Sequence, residues 1–252
     1  MFIRCLKWAV LGAGLTGCTV YAPMQPTVST VREAGQVEIS GSSQLNGRLE
    51  GGVVLSPVAH VLLAGAGSYR PAVYIGKTYF STRQWEAAAG TYWALGPKWL
   101  LTGLGGYGYA SSGRIWAELL GGTTPDLHAR YGKWFGQAGL HHDGQNVGFG
   151  LVYRLTELRF DELSYYTPYY AGIVDMRPLV RHELLFYSRR LLGGGPVGQW
   201  HMQTALGVSL AARSRSSDDT SNRFEYNRTL FPALLASVGV VFSPAWRLGR
   251  AR

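Results

Sequence analysis

From Gly35 onward, apolar and polar residues alternate, the period of a strand with two unlike faces. In 36–45, Val37, Ile39, Gly41, Ser43 and Leu45 oppose Gln36, Glu38, Ser40, Ser42 and Gln44. In 48–56, Leu49, Gly51, Val53 and Leu55 oppose Arg48, Glu50, Gly52, Val54 and Ser56. Asn46-Gly47 between them predicts a type I′ hairpin. The same alternation recurs in 84–95, 146–154, 199–210 and 232–242. It is noisier in 60–70, 99–109 and 131–142, and 180–190 carries charges on both faces near its end. The pattern predicts about ten strands (8–12), each long enough to cross a bilayer at a tilt. After Leu155 the parity changes, which predicts a bulge or turn near Thr156-Glu157.

One face carries aliphatics, with rings near the strand ends: Trp85 and Trp93, Trp99 with Tyr107 and Tyr109, Phe149 and Tyr153, and Trp200. The other face is Gly, Ser, Gln and charge. A soluble barrel places its aliphatics inside. The small polar face cannot be a packed core, so the apolar face is expected to meet lipid, with its rings as interfacial girdles. A closed barrel is the only sheet that leaves no unpaired edge in hydrocarbon. The expected fold is all-β: an antiparallel up-and-down transmembrane β-barrel.

Composition agrees. Only 15% of the 252 residues are charged, aromatics reach 13%, and there are 34 glycines. This excludes a disordered chain and a coiled coil.

The leader carries further information. Met1–Lys7 holds Arg4 and Lys7 and no acid, and Trp8–Leu15 is apolar, as in a secretory signal peptide. It ends in Leu15-Thr16-Gly17-Cys18. This resembles the lipobox of bacterial lipoproteins. The resemblance implies cleavage before Cys18, a diacylglyceryl thioether on Cys18 and an acylated, palmitate-bearing N-terminus. Thr19 in place of Asp implies, by the same resemblance, the outer membrane of a Gram-negative cell. Cys5 leaves with the leader, so the mature chain holds one cysteine and no disulfide. Ser237-Val-Gly239-Val-Val-Phe242 resembles the signal on the last strand of outer-membrane barrels, although Ser243–Arg252 follows it.

The domain reading is a signal peptide over 1–17, a lipid-anchored tether over 18–34 containing Pro23 and Pro26, a barrel over 35–242 and a basic tail over 243–252. The chain's net charge of +9 falls to +7 without Arg4 and Lys7. Its bases are scattered, which favours membrane lipid, with acidic headgroups or lipopolysaccharide, over nucleic acid. Four connections read as long: 71–83, 110–130, 163–179 and 211–231. The third carries Tyr165, Tyr166, Tyr169 and Tyr170, rings suited to a surface ligand or protein partner.

Six charges share the inner face: Glu38, Arg48, Glu50, Glu86, Arg154 and Glu183. In a narrow lumen they are expected to pair, because an unpaired buried charge is costly; a selectivity filter is the other reading. His141-His142-Asp143 looks like a metal cluster, but adjacent strand residues face opposite ways. No metal and no cofactor beyond the covalent lipid is expected. A rim-active acyl hydrolase or transferase would use His182 with Ser188, or His201 with Ser209. Six residues put the first pair about 20 Å apart, and no nucleophile elbow is present. The favoured role is structural, surface-interactive or small-ligand passage. The alternative is a lipid-tethered soluble barrel binding an apolar ligand.

Overall fold

The computed structural model describes residues 20–75, 78–115, 126–166, 171–173, 178–212 and 232–246. Cys18, Tyr169 and Tyr170 lie outside them. The strands are β1 (Val37–Gln44), β2 (Leu49–Leu55), β3 (Leu62–Ile75), β4 (Thr78–Leu95), β5 (Trp99–Ile115), β6 (Asp126–His142), β7 (Val147–Tyr166), β8 (Ala171–Ile173), β9 (Leu179–Gly195), β10 (Gly198–Ala211) and β11 (Ala233–Pro244). Ten of them form a closed antiparallel barrel. Neighbours pair in sequence from β1 to β7, β7 pairs with β9, and β11 returns to β1. The short β8 extends the wall beside β7.

Parity sorts the side chains as expected. Trp85, Trp93, Trp99, Trp134 and Trp200 point outward and are 40–58% exposed. Their inward neighbours Gln84, Glu86, Lys133 and Phe135 are buried. The rings form two bands. At one end lie Trp93, Trp99, His142, Phe149, Trp200 and Phe242, with Trp99–His142, His142–Phe149 and Trp200–Phe242 centroids 4.6, 4.9 and 4.5 Å apart. At the other, Tyr107 bridges Trp85 and Trp134 at 6.0 and 4.8 Å. On β4, β5 and β6 the two bands are eight residues apart. That is about 26 Å along a strand, or about 20 Å across a bilayer at a tilt near 40°. A transmembrane barrel needs an apolar band of this order. Beyond the second band the outward residues include charges, with the exposed pairs Glu157–Arg159 at 2.7 Å and Arg130–Glu162 at 3.8 Å.

The two ends differ. The turn end carries the short connections 56–61, 96–98, 143–146 and 196–197, the start of β1 and the end of β11. At the loop end lie the hairpin 45–48 and the strand ends joined by the connections 76–77, 116–125, 167–178 and 212–232.

Four expectations are corrected. Segment 71–83 is not a long loop, because β3 and β4 continue their pairing to Ile75 and Thr78. The β1–β2 hairpin is not a type I′ turn: Gly47 alone has positive φ (81°), and the ladder closes through Gln44 N–H to Arg48 O at 2.8 Å. That matches a looser loop with one left-handed glycine. No bulge lies at Thr156-Glu157. The inward set continues through Arg154, Thr156 and Leu158, and the extra residue is Asp161, between Phe160 opposite Tyr131 and Glu162 opposite Arg130. The apparent parity change arose because the lining turns apolar at Leu158. For the same reason the inner face is a packed core, of mixed polarity, and residues 20–34 fill it.

Candidate functional site

The lumen is occupied by residues 20–34, which form no helix or strand. This segment was expected to be an unpacked tether; instead Val20, Tyr21, Ala22, Met24, Ser29 and Val31 are buried. A buried chain without a ladder must find other partners for its N–H and C=O groups. Wall side chains supply them. Ser112 Oγ donates to Val20 O at 2.9 Å, Gln84 Nε2 to Ala22 O at 3.0 Å and Arg48 to Pro23 O at 2.5 Å. Gln137 Nε2 donates to Thr27 O at 2.7 Å and Arg189 to Val28 O at 3.1 Å. The amide of Ala22 donates to the Tyr131 hydroxyl at 3.2 Å, and those of Gln25 and Thr30 to the carboxylates of Glu50 and Glu38 at 3.2 and 3.0 Å.

The segment runs the length of the barrel. Val20 and Tyr21 pack at the loop end with Leu127, Tyr131, Leu158, Leu163 and Leu179. Val31 packs at the turn end with Val54, Leu62, Tyr92, Leu100 and Leu104. Arg32 then reaches Asp143 at 2.5 Å, and Asp143 also meets His141 Nε2 at 2.8 Å. Two apolar closures therefore flank a polar middle. The space left between segment and wall is a cavity of about 50 Å³ beside Met24–Val28, β1 and β2, room for a few waters.

All six lumenal charges named from the sequence face this interior. Glu86 of β4 binds Lys133 of β6 at 2.6 Å and Arg154 of β7 at 3.0 Å, a strap across non-adjacent strands. Arg154 also bonds Gln137 at 2.7 Å. Glu38 of β1 pairs with Arg189 of β9 at 2.9 Å and accepts from the Thr30 hydroxyl. Glu50 pairs with Arg48 at 2.6 Å. Glu183 accepts from Tyr21 at 2.7 Å and from Ser209 at 3.1 Å, and Arg181 donates to Ser209 at 2.9 Å. Sequence reasoning missed Lys133, Arg181 and Arg189. Their parity was the available signal: Arg181 and Arg189 share it with Glu183, and Lys133 with Gln137. With these three counted, cations outnumber carboxylates in the lumen, and guanidiniums turn to the carbonyls of the inner segment.

No protein-family model and no curated relative matches the chain. Among solved structures it is similar to the translocator domain of the autotransporter NalP from Neisseria meningitidis (TM-score 0.46, 10% identity, covering 95% of this chain and 94% of that one). It is also similar to the outer membrane protease OmpT from Escherichia coli (0.42, 9%, 87% and 97%). A third is the beta domain of the Bordetella autotransporter BrkA (0.40, 12%, 84% and 97%).

The candidate histidines turn to separate partners. His141 points inward to the Tyr187 hydroxyl at 2.9 Å, while His142 points outward between Trp99 and Phe149. Among the described residues, no three His, Cys, Asp or Glu side chains could hold a metal ion. His182 bonds Tyr153 at 2.6 Å, and Ser188 bonds Thr204 at 2.9 Å, so that pair does not meet. Ser209 is engaged by Arg181 and Glu183 and is eight residues from His201. Of the tyrosine group, Tyr165 leans on the loop-end apolar cluster and is no free contact; Tyr166 is 63% exposed.

Proposed function

We propose that this chain is an outer-membrane β-barrel of a Gram-negative cell, anchored as well by lipid on Cys18, with a structural or surface-contact role. The observation that carries the role is the filled lumen. Residues 20–34 occupy it along its length, and wall residues on six strands are committed to their backbone. A barrel built for passage leaves a polar channel; here apolar side chains close both ends. Surface contact falls to the loop end, where Tyr166 is exposed. The soluble alternative is disfavoured by the outward tryptophans, which water would not reward.

The reading is tested by fractionation and conductance. The full mature protein should extract only with detergent from the outer membrane and migrate faster unheated than boiled. In a planar bilayer it should show no steady current steps. Stable ohmic conductance would replace the structural role with passage. Recovery of an exported Cys18→Ala variant in the soluble fraction would replace the spanning barrel with a tethered soluble domain.

A further inference from the structure

The direction in which residues 20–34 cross the barrel fixes where a lipid on Cys18 must lie. Val20 is level with Ser112 near the end of β5, Leu127 at the start of β6 and Leu179 at the start of β9, all at the loop end. Arg32 is at the opposite end, against Trp99 O and Asp143, and Gly35 N–H bonds Ser56 O just before β1 begins. The turn end carries only connections of six residues or fewer and both ends of the barrel chain, the arrangement of a periplasmic face; all connections of ten residues or more belong to the loop end, the external one. Cys18 lies two residues before Val20, within about 7 Å of chain reach. The turn end is about 30 Å away along the barrel axis. Cys18 cannot reach it.

We propose that the acyl chains on Cys18 anchor the protein in the external leaflet. Residues 20–34 then form a threaded strap joining the lipid, through the lumen, to the start of β1 at the periplasmic end. The proposal rests on the lipobox reading of Leu15–Cys18. It gives the lumenal donors a purpose: Arg48, Gln84, Ser112, Gln137 and Arg189 hold the strap carbonyl by carbonyl.

The test uses full-length protein with Cys18 retained, because its thioether leaves no free thiol. Single reporters Thr19→Cys, Leu45→Cys at the loop end and Gln145→Cys at the turn end are exposed to a large, impermeant maleimide on intact cells. Thr19→Cys and Leu45→Cys should label at least tenfold faster than Gln145→Cys, and Gln145→Cys should catch up once the outer membrane is permeabilised. Labelling of Thr19→Cys only together with Gln145→Cys, or under neither condition, overturns the threaded topology. Metabolic labelling with an alkyne fatty acid, lost in Cys18→Ala, reads the anchor separately. External labelling of Thr19→Cys without fatty-acid incorporation overturns the external lipid and leaves the threading. Fatty-acid incorporation with periplasmic-only labelling overturns the proposal and leaves the anchor.

Discussion

Glu86 is the carboxylate on which two buried cations depend. Lys133 and Arg154 meet it at 2.6 and 3.0 Å, and all three side chains are at most 3% exposed. At an effective dielectric near 20, a unit pair at such distances attracts by about 6 kcal/mol before desolvation is subtracted. Desolvation cancels much of that gain, but it is not recovered when one partner alone is removed, and breaking a buried pair costs about 3–5 kcal/mol. Glu86→Gln keeps the shape, removes the charge and exchanges one acceptor oxygen for a donor that faces the two cations. It should destabilise the barrel by about 3–5 kcal/mol, read as a lowered urea midpoint for loss of the fast-migrating band in phospholipid vesicles. Adding Lys133→Met to that variant should recover about half of the loss, because Arg154 retains Gln137 at 2.7 Å. A Glu86→Gln barrel within about 1 kcal/mol of the parent, or a double variant weaker than the single, would refute the mutual dependence of Glu86, Lys133 and Arg154.

Three further outcomes follow from the same geometry. Leu151→Arg places a charge in the middle of the outward apolar band, where Leu151 is 47% exposed. It should cost about 2–4 kcal/mol in vesicles, whereas a water-facing position would change by less than about 0.5 kcal/mol. Gly239→Ala should abolish the heat-modifiable band, because a Cβ there collides with the Gly41 carbonyl and Ser42 at the β1–β11 seam; Gly41→Ala, facing open space, should leave the band intact. Asp143→Asn should destabilise the barrel by less than about 1 kcal/mol, read from the urea midpoint, since its pair with Arg32 is partly exposed on both sides (21% and 41%) and screened by water.

The strands, their inward and outward sets and the girdle rings were legible in the chain, because a strand's side chains alternate with a period of two and a one-residue slip would bury the wrong face. Hence Trp85 and Trp93 could be placed outside, and Glu38, Glu86 and Glu183 inside, from parity alone. Periodicity names a face but not a partner. That Glu86 meets Arg154, and Glu38 meets Arg189, depends on which strands oppose one another once ten strands close, a property of the whole barrel. Leu158 misled for a related reason: it is apolar and inward because the lumen there holds Val20 and Tyr21. The inner segment itself was illegible. Residues 20–34 follow no strand or helix period, since side chains of the surrounding wall rather than a ladder satisfy their backbone, and only the closed barrel brings those donors and acceptors to them.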